Sequence, residues 1–379
     1  MPIYKMNGKK DGLQKYNVRI NYTDNYGKAK QMTRIAYGSE EAKSLEKKLS
    51  DEVKAKGECS IKKMTVHQLF DEYISVKQYE VREMSIYKDK QNYRLYVQPA
   101  VSNVRIDKLT IPLLQEWKLS VEQKGLALKT RTHAYAIFRA ILNYAVKMEY
   151  LPRNPLLIVG NFKDPMQEKS RVDYYTAQQF KQFIAIAKQL AEERQIKHND
   201  LSEWDFYVFF NIAFYTGLRK SEIYALKWND IDNTHLSVKR SISQKLKGDD
   251  RETPPKNRSS ARTLQMPLPL IKILNEHKKR QEEMENFTED YRICGGERTI
   301  RDTTVQNKNK LYANISGLKV IRIHDYRHSH VSVLANEGIN IQEIARRLGH
   351  SKVEVTWNTY SHLYPREEEK AVDVLNRIA

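Results

Sequence analysis

Cysteine occurs only twice in this 379-residue chain, at Cys59 and Cys294. Two thiols cannot build a disulfide framework. The length allows two or three domains with a sizeable core, so a small stapled scaffold is excluded and secretion is disfavoured. Long hydrophobic runs are missing as well: the longest, Phe206 to Tyr215, is interrupted by Asn211 and falls short of the roughly 18 residues a membrane span requires. No charged n-region with a following apolar stretch opens the sequence, so the chain is expected in the cytoplasm with no membrane partner. Two chemical devices are also lacking. There is no Gly-x-x-x-x-Gly-Lys-Ser/Thr loop for nucleotide phosphates, and no Asp/Glu cluster at metal spacing; His324, His328 and His330 have no thiolates or paired carboxylates beside them.

Acidic residues are too few to balance the basic ones, 47 against 65, which leaves a formal charge of +18. That excess argues for an anionic partner, although charge alone does not choose among nucleic acid, an acidic membrane surface and an acidic protein. It is spread along the chain, with +5 in residues 1–60, +7 in 61–164 and +6 in 165–379. A disordered basic arm would concentrate its charge and lack apolar periodicity, whereas each of these segments carries the pattern of a folded module.

Residues 1–60 begin with alternation, Tyr16, Val18, Ile20 and Tyr22 against Asn17, Arg19 and Asn21, which predicts a half-buried strand. A turn at Asp24-Asn25-Tyr26-Gly27, a second strand over Gln31 to Tyr37, and Ala42, Leu45, Leu49 and Val53 at helical spacing complete a small ββα module. Residues 61–160 read as four helices: Val66 to Tyr73, one from near Ser85, one between Thr110 and Gly125, and one from about Thr130 to the stop at Leu151-Pro152-Arg153-Asn154-Pro155. The stretch 161–175 reads as a linker. Residues 176–379 predict helices at 176–195, 203–216, 268–285 and from about 325 onward. Between them lies one small sheet, with Leu236, Val238 and Ile242 in one strand and Thr263 to Met266 in another.

Four segments of this last region carry candidate chemistry. Thr216-Gly217-Leu218-Arg219-Lys220-Ser221-Glu222 follows an aromatic-rich helix; Gly217 can take a left-handed C′ position with Leu218 folded back, holding Arg219 at a corner. Ile323-His324-Asp325-Tyr326-Arg327-His328 puts His324 and Arg327 three apart, on one helix face. Leu348-Gly349-His350-Ser351 adds a histidine just past a helix end. Tyr360 follows ten residues after His350, within Thr356-Trp357-Asn358-Thr359-Tyr360-Ser361-His362. Singly these are commonplace; Tyr360 is one of 23 tyrosines.

In this order, the segments TGLRKSEIYALKW, HDYRHSH, LGHS and TYSH resemble the signature of the tyrosine recombinases, the lambda-integrase-like site-specific DNA recombinases. Tyr326, where a smaller aliphatic residue is usual, and Trp357 inside the tyrosine box are modest departures that remove no reacting group. The resemblance implies a multidomain, mainly α chain. Residues 1–60 would be an arm-site DNA-binding module, 61–160 a four-helix core-binding domain, and 176–379 a mixed α+β catalytic domain with one small antiparallel sheet and a C-terminal exchange helix. The last would carry the stripe Ala371, Val372, Leu375 and Ile378.

It also implies roles. Tyr360 would be the nucleophile of a covalent 3′-phosphotyrosine intermediate. Arg219 and Arg327 would pair with the non-bridging phosphate oxygens, and His350 would hydrogen-bond the same phosphate. His324 would accept the phenolic proton or steady the nucleophile, and Glu222 would orient an arginine. The family's lysine on a strand turn matches Lys256 in Pro255 to Thr263, with Lys245 and Lys247 nearby, and would protonate the leaving 5′-oxygen. No cofactor is implied: with two arginines serving the phosphate no metal is required, and the phosphotyrosine keeps the energy of the broken bond, so rejoining needs no ATP.

The implied partners are double-stranded DNA at attachment core sites and at arm sites, a homo-tetramer on that DNA, and accessory bending or excision factors. Candidate DNA contacts are Arg19 on a strand that could enter a major groove, and Lys129 and Arg131 on the phosphates. An integrase of a prophage or conjugative transposon, acting on the bacterial nucleoid, is the leading expectation. A non-catalytic DNA-binding regulator and a related topoisomerase are the alternatives.

Overall fold

The computed structural model describes residues 3–10, 12–23, 29–57, 63–164, 172–244, 250–254, 260–363, 372, 375 and 376. The chain forms two compact units, residues 1–168 and 169–379.

In the first unit, strands β1 (Ile3–Lys10), β2 (Leu13–Thr23) and β3 (Ala29–Tyr37) form an antiparallel sheet in that order, followed by helix α1 (Ser39–Gly57). Val18, Ala36, Ala42 and Leu49 make its small core. The expected ββα module is therefore βββα. Strand β1 has no apolar alternation to betray it: beyond Ile3 every residue is exposed, and the register shifts between Lys5 and Lys9, around Gly8 at φ +115°. This is an edge strand, held by its backbone and protected by lysines. The turn expected at 24–27 lies outside the described residues.

The helical part follows with α2 (Val66–Lys77) and α3 (Glu83–Asn92), which continues through a π-helical turn (Tyr93–Val97) into α4 (Gln98–Val101). Thr65 and Gln68 close the start of α2 with a reciprocal capping box. Pro99 explains the π-turn: it has no N–H for the carbonyl of Leu95 and its ring crowds that carbonyl. Two side chains collect freed acceptors, Lys124 Nζ donating to Leu95 O at 3.2 Å and Trp117 Nε1 to Tyr96 O at 2.8 Å. Helices α5 (Ile111–Glu122), α6 (Leu128–Lys147) and the short α7 (Leu156–Val159) complete a core in which Trp117 meets Phe138 edge-on at 4.9 Å.

The stretch read as a linker is pinned near both ends. Phe162 is buried with the helical core beside Trp117, and Tyr175 is buried in the core of the second unit, its N–H donating to Ser329 Oγ at 2.8 Å.

The second unit opens with α8 (Ala177–His198), capped by Thr176 and Gln179, and the almost wholly buried α9 (Ser202–Thr216). The short α10 (Lys220–Ile223) leads into β4 (Ile231–Asp232), β5 (His235–Val238), β6 (Ser241–Ser243), β7 (Arg251–Thr253) and β8 (Arg262–Gln265). Helices α11 (Leu268–Glu282), α12 (Asp302–Ile315), α13 (Asp325–Asn336), α14 (Ile341–Leu348) and α15 (Val353–Tyr360) follow.

Two expectations are corrected here. The one small sheet is two among the described residues, β4-β5-β8 and β6-β7, because the strand expected from Leu236 to Ile242 breaks where Lys239 and Arg240 both turn to the buried Asp230. Helix α12 was not expected at all. Its inward face is Val305, Asn309, Tyr312 and Ala313, and the polar Asn309, which donates to Ile321 O at 2.7 Å, interrupts the apolar period. Of the C-terminal stripe, Val372 and Leu375 are exposed, whereas Ala371 and Ile378 lie outside the described residues.

Candidate active site

Helix α9 ends on Gly217 in the left-handed region (φ 64°, ψ 19°). A side chain there would be strained in backbone and space alike, since a Cβ would sit 2.7 Å from His330 Cδ2 and 3.0 Å from Leu348 Cδ2. Leu218 folds into the core, and Arg219 becomes the N-cap residue of α10. Glu222, one turn on, accepts from the Arg219 backbone N–H at 3.0 Å and from its Nη1 at 2.9 Å.

The same carboxylate accepts from Arg262 Nη2 at 3.0 Å. Arg262, on β8, is buried and also donates to the carbonyls of Ser260 (2.9 Å) and Arg347 (2.6 Å). Burial works against ionisation of Glu222, but Arg262 and then Arg219 outweigh it and hold its carboxyl below the usual range. Arg262 joins the sheet edge, the Arg219 corner and the last turn of α14. An isolated arginine in a strand, 40 residues from its carboxylate, leaves no trace of this in the sequence.

Arg327 lies in the first turn of α13, with His324 as the N-cap residue. It is 2% exposed, and its guanidinium donates to Gly217 O at 2.8 Å and to Leu348 O at 2.7 Å, thereby capping the C-termini of both α9 and α14. Its Nη2 also lies 2.8 Å from His350 Nε2, while His350 Nδ1 lies 2.8 Å from the buried Thr356 Oγ1. Because arginine can only donate, His350 accepts at Nε2, so its proton sits on Nδ1 and faces Thr356. Burial, then Arg327 and Arg219, pushes the His350 imidazole down to about 4; His324 is lowered by burial and then by Arg327. The guanidinium of Arg327 is itself pushed down to about 9, by burial and then by Arg219. Arg219, His324, Arg327 and His350 thus share one positively charged neighbourhood.

Tyr360 ends α15 buried against Val331, Ile344 and Leu348, and burial lifts its phenol to about 12. Its hydroxyl hydrogen-bonds Nδ1 of His328, not His324. The signal was present in HDYRHSH, where His328 stands four residues after His324 and so shares its helix face. Lys256 lies outside the described residues, as do Lys245 and Lys247. Of the candidate DNA contacts, Arg19 is exposed with its guanidinium 5.5 Å from the Tyr4 ring, and Lys129 is exposed. Arg131 is mostly buried, paired with Glu122 at 2.6 Å and stacked near Phe162. Among the described residues no group of three His, Cys, Asp or Glu could hold a metal ion, and no helix is long and apolar enough to cross a membrane.

Against this geometry stand the relatives. Residues 65–163 match the phage integrase SAM-like domain and residues 173–367 the phage integrase family. The ICEBs1 integrase of Bacillus subtilis (strain 168) is 28% identical over 352 residues, 90% of this chain and 91% of that protein. The Tn1549 transposon integrase, solved with a circular intermediate DNA, shares the fold at a TM-score of 0.66 and 20% identity, over 83% of this chain and 100% of that one. Lambda integrase, solved as a tetramer bound to a Holliday junction, aligns at 0.54 and 15% identity, over 93% of this chain and 96% of that one. With the family's catalytic region matched across more than half of its length, this chain belongs to the phage integrase family, the tyrosine-type site-specific recombinases.

Proposed function

We propose that this chain integrates and excises a mobile element, a prophage or conjugative transposon, by cutting and rejoining DNA through a covalent 3′-phosphotyrosine link at Tyr360. The observation that carries this reading is the buried Arg327 guanidinium. It binds the carbonyl that precedes the Arg219 corner and touches His350, so two arginines and a histidine are gathered before any DNA arrives.

Such pre-gathered donors suit the crowded negative charge of phosphodiester cleavage. Arg219 and Arg327 hold the non-bridging oxygens, Glu222 fixes Arg219, and His350 donates to the same phosphate once Arg327 releases its Nε2 and a proton occupies that nitrogen. Lys256 protonates the leaving 5′-oxygen. These groups need neither a metal nor ATP. His324 stands beside the site, within electrostatic reach of Arg327 and Arg219.

The partners under this reading are duplex core sites gripped by the helical and catalytic parts, and arm sites read by the sheet that bears Arg19. Four copies act on two duplexes, with accessory bending or excision factors, on the nucleoid of a bacterial cell. A nicked duplex carrying the element's joined ends should trap a covalent adduct that Tyr360→Phe abolishes. An adduct that persists in that variant sinks the assignment, whereas relaxation of any supercoiled plasmid without pairing of defined sites would favour a topoisomerase.

A further inference from the structure

The phenol of Tyr360 meets a histidine that the proposed machinery has not used. His328, on α13, and Tyr360, on α15, place their rings 5.3 Å apart, with the hydroxyl on Nδ1. His324 stands edge-on to His328, with ring centroids 5.1 Å apart. On its far side His328 turns Nε2 towards Asp325, 3.9 Å from Oδ1, which is too long for a hydrogen bond but within electrostatic reach. Asp325 is buried and anchored in turn by the backbone N–H of Arg322 at 2.8 Å and by its Nη2 at 2.8 Å. A tautomer with its proton on Nε2 presents N–H to that carboxylate and leaves Nδ1 as the acceptor for the phenol. The imidazole then has the phenol on one nitrogen and the carboxylate beyond the other, the order in which a hydroxyl is activated in hydrolases of unrelated fold, with the carboxylate acting here through its charge and not through a hydrogen bond.

We propose that His328, rather than His324, is the base that takes the proton of Tyr360 as the phenolic oxygen attacks the DNA phosphate. This rests on the recombinase function proposed above. In the step, the bond from the Tyr360 oxygen to phosphorus forms while the bond from phosphorus to the 5′-oxygen breaks. The phenolic proton passes to Nδ1 of His328, giving an imidazolium beside the Asp325 carboxylate, and the departing 5′-oxygen takes its proton from the separate acid on the strand turn.

The electrostatics agree with a base that waits for substrate. The groups facing His328 are His324, Asp325, Arg322, Arg327 and Tyr360. Burial, then His324, holds its imidazole at about 4, so it is neutral and open to a proton at neutral pH. With the phenol at about 12, the transfer is steeply uphill in the free protein. Arg327 already lowers the phenol in the free protein, and a bound phosphate raises the imidazole; because the phenolic oxygen bonds to phosphorus as its proton leaves, no free phenolate has to form.

His328→Asn tests this in the full chain, because the Asn Oδ1 can still accept the phenolic hydrogen bond but takes no proton; His328→Gln is the second variant, and DNA binding checks that both fold. On the nicked duplex carrying the element's joined ends, adduct formation should slow about 100-fold or more with binding unchanged. Placing the more acidic 2,3-difluorotyrosine at position 360 should recover about 10-fold or more of the lost rate in His328→Asn, and should not do so in His324→Ala. An unaltered rate in both His328 variants, a loss that the fluorinated residue does not relieve, or relief confined to His324→Ala overturns the inference while leaving the recombinase function standing. Absence of any adduct from the unaltered chain overturns both.

Discussion

The helical bundle of the first unit encloses Trp117, Phe138, Ile141 and Leu142, and among its described residues Asn154 is the one buried polar side chain. The second unit also has a large apolar core, yet it encloses Glu203, Glu222, Asp230, Asp325, Arg327, His328 and His330 as well. The bundle is held mainly by area removed from water, a term indifferent to pH. The second unit holds polar and charged groups out of water, and each buried charge is tolerable only because a partner stands within hydrogen-bond distance. Glu222 has two guanidiniums, Arg327 two carbonyls, and Asp325 one guanidinium and one N–H. Packing builds a scaffold; gathering guanidiniums, imidazoles and carboxylates in one place requires buried polar contacts, and these leave the region exposed to different insults.

The sharpest way to break the contrast is to damage each core in its own terms. Phe138→Ala opens a cavity beside Trp117 and should cost about 3–5 kcal/mol of stability in the first unit. Glu222→Gln keeps the volume but leaves Arg219 and Arg262 without their carboxylate. It should cost about 3 kcal/mol in the second unit, within the range for breaking a buried pair. Followed by tryptophan fluorescence and by adduct formation on nicked DNA, the first substitution should lower unfolding resistance while bound protein still cleaves, and the second should impair both. If Glu222→Gln cleaves normally, the carboxylate does not position Arg219.

How much of this was legible in the sequence follows the same division. Periodicity located the four helices of the bundle because their buried faces are almost purely apolar. It failed for α12, whose inward face includes Asn309, and for β1, which has scarcely any inward face. The recurrence of Arg219, His324, Arg327, His350 and Tyr360 in order pointed to the candidate site. Arg262 carries no such signal because its contact with Glu222 spans 40 residues, and His328, although it shares the helix face of His324, is set apart only by a contact across 32 residues. Spacing records which residues share a helix face; it does not record which side chain reaches a carboxylate or a phenol on another element.

Acid should separate the units more gently. Burial is the first cause that holds His328 and His350 down to about 4 and His330 to about 3, against an ordinary 6.5. All three are neutral when folded at pH 6, whereas the unfolded chain begins to bind protons there. Unfolding therefore takes up protons, and the stability these groups confer is complete above about pH 6.5 and drains as pH falls towards 4. Hydrogen exchange in α13 should accelerate over that window, and a single replacement, His330→Gln, should flatten the dependence in part. Exchange in α13 that stays constant from pH 7 to 4.5 would show that burial of these imidazoles does not govern the unit.

The smallest effect concerns two basic residues that the sequence could not tell apart, Lys129 and Arg131. Both sit in the first turn of α6 on a strongly basic chain, and both were candidates for phosphate contacts. Lys129 is exposed, whereas Arg131 spends its guanidinium on Glu122 and the Phe162 ring and keeps only 15% of its side chain accessible. A phosphate could recruit Arg131 only by breaking those contacts, but it could take Lys129 at little cost beyond ordering the side chain. Lys129→Ala should therefore weaken DNA binding uniformly across sequences and reduce the slope of log affinity against log salt by about 1. Arg131→Ala should leave that slope unchanged and instead lower the stability of the bundle by about 1 kcal/mol, since a half-shielded pair and a cation on a ring are each worth a fraction of that. A salt slope that falls equally in both variants would mean that Arg131 leaves Glu122 when DNA binds, and the distinction between scaffold and grip would have to be redrawn within a single helix.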